Sequence, residues 1–238
     1  AFFGSYHILE FLFRNNVKEI IFASRKFKGD FSVSKEITRI GDFSFSNIQG
    51  IQSFESNISK ISGIGSYSFF NCENLRSFVY KNVNQNLTLF NFCFSNCKNL
   101  STVEIQCNEF ISLNNCFYNC KSIELLKISA KSVELHPETF KGCTRLQKII
   151  FHDSNEVNIS KENFYWPGGF KSVSFIKVKN VILGPQLFYK VKSLEEIEIK
   201  DSFELTIGDE CFSLSGIKNI QLDSKLINLS KNFASKCS

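Results

Sequence analysis

Nine cysteines are the residues in this chain whose type and spacing could do chemistry. Cys93 and Cys97 share a CxxxC spacing with Cys116 and Cys120, so two neighbouring segments could together offer four thiolates to a zinc ion. Seven of the nine also fall into two repeated columns, one directly before a phenylalanine and one three residues after it. Such columns could hold zinc, disulfides, or free thiols that pack as small apolar side chains.

The regular spacing favours buried free thiols. Equivalent residues in stacked units keep their Cβ atoms nearly 5 Å apart, whereas a disulfide requires about 3.8 Å. An odd number of cysteines also argues against complete pairing. The zinc interpretation is weakened because the same columns hold other residue types elsewhere in the chain. We therefore predict inward-pointing thiols, with no metal and no cofactor.

Other candidate catalytic residues do not form a recognisable arrangement. The three histidines, His7, His136 and His152, have no serine or cysteine nearby in a nucleophile motif. The stretch WPGG at 166–169 lacks the Lys-Ser/Thr of a phosphate-binding loop and is predicted to be a turn. The stretch EEIEIK at 195–200 is typical of a solvated, charged strand face. We predict that the chain is not an enzyme.

Composition and charge narrow the possible partners. The formal net charge of +5 is spread along the chain without a basic run, which argues against nucleic acid. No apolar stretch approaches the ~20 residues needed to span a bilayer, so this segment is not expected to insert directly into a membrane. The count of 27 phenylalanines is high, which indicates that one structural position repeatedly requires an aromatic ring.

Much the same phrase recurs along the whole chain, as in FFNCENL, FSNCKNL and FKGCTRL. Its first phenylalanine, here called the anchor, returns every 23 to 25 residues, with one short interval of 18 residues. The anchors are Phe2, Phe27, Phe45, Phe69, Phe94, Phe117, Phe140, Phe164, Phe188 and Phe212. In an eleventh, partial unit the ring sits at Phe233, about one residue out of frame. Self-similarity of this period is typical of a solenoid.

Each unit shows two extended stretches. Apolar residues alternate nine and eleven residues after the anchor, as at Val103 and Ile105, and again seven and five residues before it. Pro137, Pro185 and Ser160 just before the anchors are typical of helix starts. We predict strand, turn, short strand, and then one or two helical turns that carry the phenylalanine.

These segments resemble the BspA-like leucine-rich repeats, whose pattern is roughly I-G-x-x-A-F-x-x-C-x-x-L-x-x-I-x-I. The matching stretches include IGDFSFSN, IGSYSFFNCENLRSF and FCFSNCKNLSTVEI. The resemblance implies a β-rich (α/β) repeat solenoid, a leucine-rich-repeat array with a parallel concave β-sheet and short helical turns carrying a stacked Phe spine. It also implies that residues 1–238 form a single solenoid of about ten repeats, with an irregular short repeat near 27–44. Because neither end supplies a polar cap, we expect a segment of a longer array.

The resemblance also implies where a partner binds, because the outward residues of the concave sheet lie eight, ten and twelve positions after each anchor. These positions carry charged, polar and a few apolar side chains, which suits a protein or glycoprotein ligand. The candidate binding residues are Val79, Lys81, Glu104, Leu125, Lys127, Ile150, His152, Glu196, Glu198 and Lys200.

Two functions remain open from the sequence. The family resemblance implies a module for adhesion or recognition, because such proteins are associated with bacterial and protist surfaces. The alternative is an intracellular scaffold, in which the solenoid is a stiff component of a large assembly. We expect a cell-surface or extracellular location on the first interpretation and an intracellular one on the second.

Overall fold

The structure is a computed structural model that describes residues 19–20, 29–32, 37–56, 60–160, 164 and 169–237. These residues form one parallel sheet of thirteen strands. The strands are β1 (Glu19–Ile20), β2 (Gly29–Ser32), β3 (Arg39–Ile40), β4 (Ile51–Ser56), β5 (Gly63–Ile64), β6 (Ser77–Asn82), β7 (Leu87–Leu89), β8 (Thr102–Ser112), β9 (Leu125–Leu135), β10 (Lys148–Ile159), β11 (Ser172–Leu183), β12 (Glu196–Ile207) and β13 (Asn219–Leu229).

Each coil of the solenoid has two strand-forming arms. The first arm consists of β2, β4, β6 and the first halves of β8 to β13. The second arm consists of β1, β3, β5, β7 and the second halves of the same long strands. Both arms meet at β8, which pairs with β6 through its first half and with β7 through its second half. The prediction of a parallel repeat solenoid is confirmed.

The two arms are continuous in the later coils, which the sequence did not predict. In β10, β11 and β12 a single strand runs through both arms and bends at a residue with a positive φ, namely 55° at Asp153, 54° at Lys177 and 53° at Asp201. A left-handed residue turns the strand without breaking it into two elements. Aspartate is one of the residue types that adopt this conformation more readily.

The core lies between the arms and the segment that carries the anchors. Strand residues alternate between buried and outward positions, as the repeated apolar pairs predict. The anchors described by the structure from Phe45 to Phe212 are fully buried, and their rings stack coil upon coil. Ring centroids are 5.0 Å apart for Phe69 and Phe94, and 5.8 Å apart for Phe117 and Phe140, with nearly parallel planes. The aromatic spine is therefore present.

The prediction of helical turns around the anchors is wrong, because the described residues contain no helix. The N–H of Phe45 donates to the carbonyl of Ser68 in the next coil at 2.7 Å, while the N–H of Ser46 donates to Phe43 in its own coil at 3.1 Å. The residues two before and two after the anchor have positive φ, 55° at Phe43 and 61° at Asn47. An α-helix cannot propagate through left-handed residues whose neighbours bond to the next coil.

The apparent helix-start signals have another role. Pro137 is followed by Glu138 at φ 60°, the order of conformations found in a type II turn, where proline precedes a left-handed residue. Ser160 does not cap a helix, since its hydroxyl donates to the carbonyl of Leu135 in the preceding coil at 2.8 Å. Proline, serine and aspartate favour tight turns as well as helix starts, so the sequence signal was ambiguous.

The final coil has a different anchor from the one predicted. Its left-handed residues are Asn232 and Lys236, and the N–H of Phe212 donates to the carbonyl of Phe233. Both observations place Ala234, not Phe233, in the anchor position. Several sequence predictions lie outside the described residues: the anchors Phe2 and Phe27, residues 27–28 and 33–36 of the short repeat, as well as His7 and residues 166–168 of the WPGG stretch.

Candidate functional site

The outward side chains of the first arm form one continuous surface, here called the first-arm face. The parallel register aligns equivalent positions of successive coils. One row runs Ser77, Thr102, Leu125, Lys148, Ser172 and Glu196, and the next runs Val79, Glu104, Lys127, Ile150, Ser174 and Glu198. A third row contains Lys81, Gln106 and Ser129 and, beyond a register shift in β10, His152, Ile176 and Lys200.

All ten candidate binding residues lie on this face, and each is partly or fully exposed. The structure therefore brings together residues that are up to 121 positions apart in the chain, from Val79 to Lys200. Their role in binding stays a prediction, as does the concave curvature of the sheet.

Ion pairs occupy both ends of the face. Near one end Lys81 Nζ lies 3.0 Å from Glu104 Oε2, and Gln106 Nε2 donates to Glu104 Oε1 at 3.3 Å. Near the other end Lys200 Nζ lies 2.5 Å from Glu198 Oε1. Hydrogen bonds from Lys200 and then Ser174 hold the pKa of the Glu198 carboxyl below its usual range. These charges are satisfied within the protein.

The two described histidines pair with acidic neighbours. His152 Nδ1 lies 3.1 Å from Asp153 Oδ2 on the first-arm side of the bend, and His136 Nε2 lies 3.2 Å from Glu134 Oε1 on the second arm. Neither pair includes a serine or cysteine nucleophile of the kind that covalent catalysis requires. That the chain is not an enzyme stays a prediction.

The cysteines point inward, as the sequence predicts. Eight are buried, Cys237 is partly exposed, and all nine are free thiols. In the column three residues after the anchor, each thiol donates to the anchor carbonyl of the preceding coil. The pairs are Cys72 with Phe45 at 3.0 Å, Cys97 with Phe69 at 3.1 Å, Cys120 with Phe94 at 3.0 Å, Cys143 with Phe117 at 3.0 Å, and Cys237 with Phe212 at 3.1 Å.

Burial makes these thiols poor nucleophiles. Removal from water raises the pKa of Cys116 and of Cys143 to about 12, because a thiolate would be stranded in an apolar interior. Among the residues described, no three histidine, cysteine, aspartate or glutamate side chains are placed to hold a metal ion. The thiols therefore serve as packing groups and hydrogen-bond donors.

Sequence reasoning missed the two left-handed columns that flank the anchors. The column two residues after the anchor holds Asn47, Asn71, Asn96, Asn119 and Gly142. Asparagine and glycine tolerate positive φ, so their recurrence was a usable signal. The column two residues before the anchor contains a second aromatic stack, in which Tyr67 lies 5.1 Å from Phe43 and 4.9 Å from Phe92 between ring centroids.

A parallel array of coils with an aromatic spine is the architecture of a leucine-rich-repeat solenoid. The chain belongs to the BspA type leucine rich repeat region family, whose model matches residues 15–115 and 111–238 in 6 copies. This confirms the resemblance seen in the sequence.

Two solved structures are similar to this chain. A leucine rich cell surface protein from Faecalibacterium prausnitzii A2-165 shares 14% identity over 79% of this chain and 74% of its own, with a TM-score of 0.34. A leucine-rich repeat protein from Bacteroides ovatus ATCC 8483 shares 18% identity over 89% of this chain and 78% of its own, also with a TM-score of 0.34. No curated protein matches the chain. In the part of the chain that the structure describes, no helix could cross a membrane.

Proposed function

We propose that this chain is a protein-binding repeat module that acts in adhesion or recognition at a cell surface, with the first-arm face as its contact surface. The observation that supports the proposal is the register of β6 and β8 to β12, which aligns the outward side chains of six coils on one sheet. Six parallel strands span roughly 24 Å at ~4.8 Å between neighbours.

The chemical mixture on this face suits a macromolecular partner. A few aliphatic side chains, including Leu125, stand among charged and hydroxyl groups, as in the core and rim of many protein interfaces. Side chains that are already ordered on a sheet lose little conformational freedom when a partner binds. The partner in this proposal is a protein or glycoprotein.

Membership of the family supports the proposed location, because the resemblance implies bacterial or protist surfaces. The location is tested with serum raised against this chain, applied to intact and to permeabilised cells that produce it. Labelling of intact cells is the expected result. Labelling only after permeabilisation would overturn the surface role and favour the intracellular scaffold.

A second experiment tests the contact surface. A photo-cross-linking amino acid replaces Ile150 on the first-arm face or, as a matched control, Ile182 on the second arm; both isoleucines are partly exposed strand residues. We expect cross-linked partners from position 150 and few from position 182. Equal cross-linking from both positions would argue against the first-arm face.

A further inference from the structure

We propose that the centre of the first-arm face binds an acidic, aliphatic segment of the partner protein. This inference rests on the proposed protein-binding function and specifies the chemistry of the ligand. It is carried by two cationic side chains that form no ion pair with the residues described, Lys127 and Lys148, together with the aliphatic residues beside them.

Lys127 and Lys148 differ from the lysines near the ends of the face. Neither forms an ion pair or a side-chain hydrogen bond with another described residue, whereas Lys81 and Lys200 are both paired. Lys127 aligns with Glu104, but both oxygens of that carboxylate are engaged by Lys81 and Gln106.

The carboxylate that feels the charge of Lys148 is Glu198, two coils away, and it already accepts hydrogen bonds from Lys200 and Ser174. The register partners of Lys148 are Leu125 on β9 and Ser172 on β11. Two positive charges therefore stand close together at the centre of the face without an ion pair to any described residue, and the nearest carboxylates, Glu104 and Glu198, are each bonded to another lysine. Carboxylates from a bound segment would pair with Lys127 and Lys148 and remove their mutual repulsion.

Aliphatic side chains share the same small area. Lys148 aligns with Leu125, and Ile150 aligns with Lys127, so the four residues form a square. The lysines occupy one diagonal of this square, and the aliphatic residues occupy the other. Leu125 is 37% exposed, a high value for a large apolar side chain on a strand.

The aliphatic diagonal continues to Ile176 on β11. Ile150 aligns with Ser174 on that strand, and Ile176 lies two residues further along it. Adjacent members of the diagonal are roughly 8 Å apart, from ~4.8 Å between strands and ~3.3 Å per residue. Alternate side chains of an extended peptide are about 7 Å apart. An extended segment that crosses the strands obliquely can therefore place aliphatic side chains along the diagonal and acidic ones towards the two lysines.

The test uses a library of random dodecamer peptides displayed on phage, selected against the immobilised full chain. We expect the selected peptides to be enriched in Asp and Glu interspersed with Leu, Ile and Val, relative to the unselected library. Their binding should fall at least tenfold for the double variant Lys127→Glu and Lys148→Glu. The matched control is Lys131→Glu with Lys179→Glu, which makes the same change of charge at exposed positions near the bend between the arms.

A second double variant distinguishes failure of the acidic ligand from failure of the first-arm face as a binding surface. Leu125→Thr with Ile150→Thr removes two of the three aliphatic side chains of the diagonal and leaves Ile176. Threonine suits the sheet, because Thr102 already occupies the row of Leu125. Far-UV circular dichroism and the melting temperature are measured for every variant, and only variants that match the wild type are compared.

The possible outcomes lead to different conclusions. One outcome is that the selected peptides show no acidic enrichment, bind the lysine double variant as well as the wild type, and bind the threonine double variant more weakly. That outcome would overturn the acidic ligand and leave the first-arm face as the binding surface. If the selected peptides bind both double variants as tightly as the wild type, or if the selection yields no binding peptides, the first-arm face is overturned as the binding surface as well. Acidic peptides that require both lysines and both aliphatic residues would support the full inference.

Discussion

Buried thiols should make the stability of this protein depend on alkaline pH. Burial raises the pKa of Cys143 to about 12 from its ordinary value of 9.0. Below pH 9 the thiol is neutral in both states and its contribution is fully present. As the pH rises towards 12, the unfolded state loses a proton that the folded state keeps, so the free energy of unfolding falls by about 1.4 kcal/mol per pH unit for each such thiol.

This prediction is tested by urea denaturation between about pH 8 and about pH 10.5, a range within which the thiol would ionise only when unfolded. Cys143→Val is the matched variant, because Val191 occupies the same column with 3% exposure. Its stability should decline less steeply with pH than that of the wild type. Parallel declines would show that Cys143 ionises equally in both states.

Substitution of Ser95 should raise the free energy of unfolding. Ser95 is 1% exposed, and its hydroxyl has no hydrogen-bond partner among the described residues. Ser95→Ala removes an unsatisfied buried group and should raise the free energy of unfolding by about 1 kcal/mol. Ser44 is equally buried but donates to the Gly41 carbonyl at 2.7 Å, so Ser44→Ala should lower stability by about 1 kcal/mol. Equilibrium denaturation checks both; destabilisation by Ser95→Ala would mean that the hydroxyl has a partner.

The inward direction of the cysteines could be predicted from the sequence, because a residue that keeps its distance from a buried anchor shares that anchor's side of the coil. The thiol-to-carbonyl bonds could not. They depend on the path of the backbone in the preceding coil, which places the Phe94 carbonyl 3.0 Å from the Cys120 thiol. Residue types alone do not give this path.

The segment that carries each anchor depends on its left-handed residues. Asn96 has φ 62°, and Gly142 occupies the equivalent position of a later coil. Asn96→Ala places a residue with a Cβ in a conformation that costs it about 1–2 kcal/mol, whereas Asn96→Gly is free of that strain. Both variants lose the 2.6 Å hydrogen bond that Asn119 Nδ2 donates to Asn96 Oδ1. Thermal or urea unfolding should therefore find the glycine variant more stable than the alanine variant. Equal stability of the two Asn96 variants would mean that the left-handed conformation carries no strain.

The repeat length could be read from the sequence, but the local conformation of the segment that carries each anchor could not. Phenylalanine spacing predicts which ring stacks on which, because stacking needs only the repeat length. The local conformation was ambiguous, since Pro137 and Ser160 suit either a helix start or a turn, and bonds to the adjacent coil decided it.

Across the whole array, parallel stacking is what makes the first-arm face predictable. Once the units are aligned on their anchors, Val79, Glu104 and Lys127 must fall in one row, and the register confirms that they do. The pattern of ion pairs did not follow from the sequence, because Glu104 has lysines on either side of it. Side-chain geometry selects Lys81 and leaves Lys127 without an ion pair to the part of the chain that the structure describes.

Stacking also predicts that equivalent apolar residues of one column contribute unequally to the free energy of unfolding, according to whether a further coil covers them. Ile207 on β12 is 1% exposed because β13 covers it, while Leu229, its register partner on β13, is 48% exposed. Ile207→Thr should lower the free energy of unfolding by about 2–3 kcal/mol, from lost burial and a buried hydroxyl. Leu229→Thr should change it by less than about 0.5 kcal/mol.

The two substitutions are matched in chemistry and column, so urea denaturation of both variants isolates the effect of the covering coil. A large loss of stability for Leu229→Thr would mean that another surface covers β13 in solution. Repeating the Leu229→Thr measurement over a range of protein concentrations shows whether that surface belongs to the same chain or to a second copy. A cost that grows with concentration would identify that surface as a second copy of the chain, because association stabilises by mass action.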